Sequence, residues 1–259
     1  MLRKVVTDNR LSRKILKVGF KMKRKMMKKV GVILMAFSIL GMLGCNTIND
    51  KTAELVRKEL NEKYNQEFEV IALGARMGTK DNNTVTSYVQ DKNGVVFSVV
   101  MDTKGTIKSE NYLRRKVGTA AGTVLVDELN KHNMESKVNL HVSGGKEIHD
   151  VDIKLHDYID SHTPDYFVGK LLLKETNQLT HENVKSAYES TYKQLKNTPL
   201  QTDVWVIASE DYDKAVTEFQ KNPDVSEEWF DDYKVISKFY IDMSNEGLDS
   251  DNEEIKGNM

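Results

Sequence analysis

The spacing of apolar residues between positions 51 and 143 changes from helical to alternating and back to helical. Apolar side chains recur every three or four positions over residues 51–64, which predicts an amphipathic helix. Alternation then predicts strands, and the turns Asp91–Gly94 and Asp102–Gly105 join them into an antiparallel meander. The predicted elements are a helix over 51–64, strands over 67–73, 84–90, 95–101 and 106–109, a helix over 111–132, and a strand over 137–143.

Gly144 and Gly145 interrupt this pattern and mark a predicted boundary between modules 45–144 and 145–242. Residues 149–160 fit a strand or a helix, and the helix is preferred. The later predicted elements are a strand over 166–174, a helix over 181–196 capped by Thr180, a strand over 203–208, a helix over 210–221 capped by Ser209, a helical turn near 226–231 and a strand over 233–242. The polar, acidic residues 243–259 are predicted to be a disordered tail.

Together these elements predict an α+β fold. It has an N-terminal helix plus an antiparallel meander, followed by a βαβαβ-like half with a mixed sheet. From Cys45 onward about 215 residues remain, enough to bury a core as one large or two small domains.

A short apolar run near the N-terminus indicates export. Residues 30–43 are fourteen uncharged positions, and six Lys and Arg residues between positions 21 and 29 precede them. A membrane-spanning helix needs about 20 apolar residues, whereas the core of a signal peptide needs roughly 7–15. The run ends at Gly44 and Cys45, and Cys45 is the only cysteine in the chain. The alternative is an uncleaved membrane anchor followed by a buried thiol.

The motif Leu43-Gly44-Cys45 resembles the lipobox of bacterial lipoprotein precursors of the Gram-positive type, with Met42 where leucine is usual. The resemblance covers residues 22–45. It implies that residues 22–44 are a signal peptide, that Cys45 receives a diacylglyceryl group, and that cleavage falls between Gly44 and Cys45. Acyl chains such as palmitate would then hold the protein on the extracytoplasmic face of the cell membrane.

Residues 1–21 precede the basic run, although signal peptides start close to theirs. We therefore interpret residues 1–21 as a probable start-site extension, with Met22, Met26 or Met27 as the true initiator. A long basic cytoplasmic extension is the alternative.

Charge is distributed unevenly along the chain. Of the 38 Lys and Arg residues 12 lie in residues 1–44, and of the 39 Asp and Glu residues 1 does, so the remaining 26 cations and 38 anions give the rest a net charge of −12. This charge argues against a nucleic-acid partner, because phosphates require basic patches. It also argues against a body that lies flat on an anionic leaflet.

The histidines offer a candidate metal site. On a helix over 149–160, His149, Asp152, His156 and Asp160 would share one stripe, and such side chains can bind a divalent metal such as zinc. However, ligands seven positions apart stand about 10 Å apart along the helix axis. The solvated face of a helix is therefore the preferred interpretation, and no metal is predicted.

Three further segments match functional patterns only in part. Gly74–Lys80 lacks the order of a phosphate loop, the helix start at His181 lacks the second histidine of a zinc protease, and Asp249–Glu254 lacks the glycine of a calcium loop. The late aromatic residues are interpreted as core rather than as a binding cleft. They are Trp205, Tyr212, Phe219, Trp229, Phe230, Tyr233, Phe239 and Tyr240.

The sequence thus predicts a lipid-anchored extracytoplasmic protein that acts as a binding or interaction module, with neither catalytic residues nor a cofactor. Its ligand is a protein at the cell surface or a small molecule held between the two halves. One alternative is a hydrolytic or metal-dependent enzyme in which the fold gathers scattered His and Asp residues. Another is an envelope structural protein without a ligand.

Overall fold

Helices and strands follow one another in the order that the apolar spacing predicts. The structure is a computed structural model and describes residues 46–78, 83–222 and 224–252. Its elements are helix α1 (Asn46–Tyr64), strands β1 (Phe68–Gly78), β2 (Asn83–Asp91), β3 (Val96–Asp102) and β4 (Ile107–Glu110), helix α2 (Tyr112–Lys131), strand β5 (Ser136–Ser143), helix α3 (Leu155–His162), strand β6 (Tyr166–Lys174), helix α4 (His181–Gln194), strand β7 (Leu200–Ile207), helix α5 (Ser209–Phe219), a 3-10 helix (Glu227–Asp232), and strands β8 (Val235–Ser244) and β9 (Gly247–Ser250).

The first sheet is the predicted meander, with the strand order β1-β2-β3-β4 and antiparallel neighbours throughout. Its first turn is held by Asp91, whose Oδ1 accepts hydrogen bonds from the backbone N–H groups of Asn93 (2.8 Å) and Val95 (2.9 Å). Gly94 supplies the positive φ, 84°, that this turn needs. The turn after Asp102 repeats the arrangement, so local chemistry sets the register of both hairpins.

The second sheet has the order β5-β6-β7-β8-β9. Strands β6 and β7 are parallel and are connected through α4, while the other neighbouring pairs are antiparallel. The fold class is therefore α+β with an antiparallel sheet and a mixed sheet, as the sequence predicts. Thr180 caps α4 as expected, because its Oγ1 accepts the Asn183 N–H. Ser209 instead is the first residue of α5, and the cap position, Ala208, makes no side-chain bond.

Helix α2 packs closely on β5 through glycine. A Cβ added at Gly118 would lie 2.4 Å from the Leu140 carbonyl oxygen and 2.6 Å from the His141 Cα. At Gly122 an added Cβ would instead meet the Val138 Cγ1 at 2.7 Å. The two glycines, one turn apart, let the helix backbone approach the strand more closely than any larger residue would allow.

The main hydrophobic cluster draws on both predicted modules. It contains Leu60 of α1, Phe97 of β3, Leu125 of α2, Leu171 of β6 and Val204 of β7, each 1% exposed or less. Contacts between residues divide the chain after position 52, into residues 1–52 and 53–259. A module boundary at Gly144-Gly145 stays a prediction.

A second hydrophobic cluster covers the opposite face of the mixed sheet. Trp205 of β7 stacks on Phe230 of the 3-10 helix, with ring centroids 3.7 Å apart and an interplanar angle of 4°. The core interpretation of the late aromatics is confirmed for these two residues and for Tyr212, Phe219 and Tyr233, which are buried in the same cluster. Phe239 belongs to the main cluster, while Trp229 and Tyr240 are half-buried.

Several boundaries differ from the prediction. Strand β1 extends to Gly78 instead of residue 73, and β7 begins at Leu200 instead of residue 203. Helix α1 begins at Asn46 instead of residue 51. Helix α3 begins at Leu155 instead of residue 149. The tail prediction is wrong for residues 243–252, because β8 runs to Ser244 and β9 pairs with it through a turn with Gly247 at φ 106°. Residues 253–259 lie outside the described part of the chain.

Candidate ligand-binding clefts

A first cleft, of about 210 Å³, lies where the end of α1, the start of α2 and the loop after β5 meet. Its lining carries charges of both signs, from Lys63, Glu110, Arg114 and Glu147, and His149 also lines it. The Arg114 guanidinium donates to the Gly144 carbonyl oxygen (3.0 Å) and so holds this loop against α2. The volume is below the roughly 300–1,000 Å³ of most small-molecule sites.

Glu110 of the first cleft accepts hydrogen bonds from three neighbouring residues. Its carboxylate accepts hydrogen bonds from the Lys63 Nζ (2.7 Å), the Tyr64 hydroxyl and the Tyr112 N–H (2.6 Å). Burial by itself raises the pKa of Glu110, but these donors outweigh burial and hold the pKa below its ordinary value. Burial and the bond to Glu110 raise the pKa of Tyr64. Glu110 therefore links α1 to α2 as an ionised acceptor.

This link predicts a dependence of stability on pH. Because the folded-state pKa of Glu110 lies below its unfolded value of 4.5, its contribution to stability is complete above pH 4.5 and is lost as pH falls through the lowered folded-state pKa. We expect Glu110→Gln to be less stable than the wild type at pH 7, by about 1–2 kcal/mol. We also expect this variant to lose less stability than the wild type on acidification, in urea unfolding followed by circular dichroism.

The exposed α1 residue Glu62, which pairs only loosely with Lys58 at 3.9 Å, provides the control. Glu62→Gln should follow the wild-type dependence on pH. If Glu110→Gln and the wild type lose equal stability on acidification, Glu110 is not the linked group.

A second cleft, of about 350 Å³, runs along β5 and is called here the Arg115 cleft. Gln90 of β2 and Thr119 of α2 line one part of it, and Lys137 and Asn139 of β5 line another. Its volume falls within the usual range of small-molecule sites. The lining side chains offer several hydrogen-bond donors, which suits a polar ligand.

Arg115 lies at this cleft although it is only 5% exposed. Its Nη2 pairs with the Oδ1 of Asp224, from the loop after α5, whose side chain is 43% exposed. Burial lowers the pKa of Arg115, and Asp224 acts in the opposite direction. Arginine nevertheless remains charged in proteins, so the fold holds a buried cation here.

The surroundings of Arg115 are locally basic. Burial lowers the pKa of His141, and the nearby charges of Arg115, Lys170 and Arg114 lower it further, whereas Asp224 raises it. Three permanent cations thus act on this half-buried histidine, while the sequence from Cys45 onward is strongly acidic. The charged side chains that line the Arg115 cleft itself, Arg115 and Lys137, are both cationic, which favours an anion there.

A wide surface depression, of about 1,040 Å³, opens beyond the carboxyl ends of the parallel strands. Ligands often bind at this position in α/β sheets. Here, however, the Oε2 of Glu175 accepts the Ser209 N–H at the start of α5 (3.4 Å), and Glu210 and Asp211 lie in the first turn. The helix N-terminus already faces carboxylates, so this depression does not attract an anion.

The predicted histidine stripe does not form. Because α3 begins at Leu155, His149 and Asp152 lie in the loop before it. His149 is exposed at the first cleft, with its Nε2 3.9 Å from the Glu147 Oε2. Tertiary contacts override the helical spacing here, because Ile148 is buried in the main cluster.

The other two members of the stripe have partners on or just after α4. The His156 Nε2 lies 3.1 Å from the Gln194 carbonyl oxygen, and Asp160 pairs with Lys196. Within the described ranges there is no group of three or more His, Cys, Asp or Glu side chains placed to hold a metal ion.

The partial motifs have structural roles where they are described. Glu182 lies in the first turn of α4 and Asp249 in β9, while the segment from Gly74 runs along β1 up to Gly78 and then leaves the described residues. Gly44 and Cys45, the predicted cleavage and lipidation positions, also lie outside them. No helix in the described part of the chain has the length and apolar character to cross a membrane.

Comparison with known proteins supports the fold class. The structure is similar to the crystal structure, at 2.55 Å resolution, of a DUF5037 family protein from Ruminococcus gnavus ATCC 29149. The TM-score is 0.55 and the sequence identity 18%, over 78% of this chain and 96% of that chain. At this identity the similarity concerns the fold alone. No family model matches the sequence, and no curated protein matches it.

Sequence reasoning missed the pair of Arg115 and Asp224. A signal for Arg115 exists, because it shares one helical stripe with Gly118, Gly122 and Leu125, all of them buried. A cation within such a stripe indicates a buried partner or ligand. No local signal points to Asp224, which lies 109 residues further along the chain.

Proposed function

We propose that this chain is a bacterial lipoprotein, anchored through Cys45 on the extracytoplasmic face of the cell membrane, whose folded part acts as a binding module. One observation supports the proposed lipid anchor most directly. The only cysteine, Cys45, follows Gly44 at the end of a fourteen-residue apolar run, and six cations precede that run. A signal peptide that ends at a lipidated cysteine accounts for this arrangement.

The charge of the mature part supports a lipid anchor. With a net charge of −12 from Cys45 onward, the body gains nothing from an anionic leaflet. Each buried methylene of an acyl chain contributes about 0.8 kcal/mol, and two chains suffice for stable anchoring where one is marginal. The diacylglyceryl group would therefore hold the protein at the membrane.

The Arg115 cleft supports the binding role. It combines a volume of about 350 Å³ with a buried cation and polar lining side chains. Concave sites with a few well-placed polar groups are typical of ligand binding.

Replacement of Cys45 tests the anchor. We expect wild-type protein expressed in a Gram-positive host to incorporate radiolabelled palmitate and to sediment with membranes. Cys45→Ala should keep the size of the precursor, and its palmitate signal should fall at least about tenfold, because the thioether can form only at this sulfur.

Ser38→Ala provides the control, because it changes the same apolar run without removing the thiol. It should be labelled and processed like the wild type. Equal palmitate incorporation by Cys45→Ala, or an unmodified Cys45 in mass spectra of the membrane-bound chain, would contradict the proposal.

A further inference from the structure

We propose that the Arg115 cleft binds a small carboxylate ligand. In the absence of this ligand the Asp224 carboxylate takes its place and pairs with the Arg115 guanidinium, until the ligand displaces it. This inference rests on the binding role proposed above and names the ligand class. It does not depend on the lipid anchor.

The unequal burial of the two partners is the first argument. Arg115 has a side chain that is 6% exposed, whereas that of Asp224 is 43% exposed. A buried charge is costly without a partner, so the fold must supply an anion. It does so from a surface loop, and a carboxylate at the surface can leave without opening the hydrophobic core.

The chemistry of the pair is the second argument. Asp224 shows that the guanidinium accepts a carboxylate in this position. The planar guanidinium matches a carboxylate in shape and can bind it through two parallel hydrogen bonds. A ligand carboxylate would therefore replace one ion pair with an equivalent one, and the remaining contacts of the ligand would decide the balance.

The cleft lining can supply those remaining contacts. Lys137, Gln90 and Thr119 face the same cavity as Arg115, and each carries a side-chain donor. Asn139 also lines it, and its amide nitrogen lies 3.0 Å from the Phe219 carbonyl oxygen at the end of α5. This bond links the cleft wall to the end of α5.

The electrostatic setting favours an anion at this cleft. Lys137 is a second cation in the cleft lining beside Arg115, and Asp224 is the carboxylate paired with Arg115. Removal of the Asp224 charge should therefore strengthen the attraction for a ligand anion, because ligand and side chain compete for one cation.

Asp224→Asn tests the inference in the protein as its host produces it, purified in detergent whether or not it carries a lipid. Isothermal titration with succinate measures affinity, with inorganic phosphate and the neutral succinamide as comparison probes. We expect Asp224→Asn to bind succinate at least about fivefold more tightly than the wild type, and succinamide to bind neither protein. Succinate should also raise the thermal midpoint of Asp224→Asn more than that of the wild type.

Two matched variants complete the design. Asp231→Asn removes an exposed carboxylate from the 3-10 helix and should leave succinate affinity unchanged. Arg115→Met should abolish binding, while Arg114→Met, which removes the neighbouring cation, should weaken it far less. Because Arg115→Met risks misfolding, the increase in succinate affinity expected for Asp224→Asn is the deciding measurement.

The proposal is overturned if Asp224→Asn binds succinate no more tightly than Asp231→Asn, or if phosphate or succinamide binds as well as succinate. Either result leaves the anchor untouched, since palmitate labelling at Cys45 decides that separately. Conversely, a protein that incorporates no palmitate but binds succinate would contradict the proposed lipid anchor and support the proposed ligand site.

Discussion

Gly118→Ala should destabilise the fold by about 3 kcal/mol or more, although alanine favours a helix over glycine by about 1 kcal/mol. The added Cβ would lie 2.4 Å from the Leu140 carbonyl oxygen and 2.6 Å from the His141 Cα. Both are backbone atoms within β5, so neither can rotate away. Helix α2 would have to move off the strand, and the buried side chains beneath it, such as Leu125, would lose their packing.

Gly122→Ala is the matched control, on the same helix and the same buried face. Its Cβ would meet a side-chain atom, the Val138 Cγ1, at 2.7 Å, whereas the Cβ at position 118 would meet backbone atoms of β5. We expect this variant to cost about 2 kcal/mol less than Gly118→Ala in urea unfolding followed by circular dichroism. Equal costs at the two positions would show that the close approach of α2 to the β5 backbone is not what limits stability.

Asp91→Ala is the second large effect, with an expected cost of about 3 kcal/mol. Asp91 is 5% exposed. Its Oδ1 accepts two backbone N–H groups of the turn, and its Oδ2 accepts the Tyr112 hydroxyl at 3.0 Å. Removal of the carboxylate would leave buried donors without an acceptor and would remove a buried hydrogen bond between the meander and α2.

Asp102→Ala separates the turn from the tertiary contact. Asp102 accepts hydrogen bonds from the backbone N–H groups two and four residues later, those of Lys104 and Thr106, as Asp91 does in its own turn, but the Asp102 turn is exposed. Bonds from the Thr106 N–H and from Lys108 lower the pKa of Asp102 to about 2. We expect Asp102→Ala to shift the urea midpoint clearly less than Asp91→Ala does. A shift of the same size would mean that the bond to Tyr112 adds nothing.

Local chemistry explains why much of the fold could be predicted. The helix over 111–132 was predicted within one residue at each end, and the strand over 166–174 at both ends. Thr180 caps α4 through a bond that spans three residues. Each of these features depends on neighbours in sequence, so spacing and residue type suffice to find it.

Long-range contacts explain what could not be predicted. The helical spacing predicted a helix over 149–160, but residues before Leu155 form a loop. Two long-range contacts hold this loop: Ile148 is buried in the main cluster, and the Lys116 ammonium donates to the Val151 carbonyl oxygen. The acidic tail forms β9 because β8 offers it a strand edge, a partner that no composition rule reveals. The pairing of Arg115 with Asp224 likewise joins residues far apart in the chain.

By itself, the sequence determined the order of helices and strands, the two aspartate turns and the candidate lipidation at Cys45, because each depends on residues close together along the chain. Tertiary structure alone decided that α2 would lie on the backbone of β5, that the histidines would separate, and that a carboxylate from a distant loop would reach a buried guanidinium. The reason is physical, since burial and ion pairing depend on distance in space, and sequence separation carries little information about that distance.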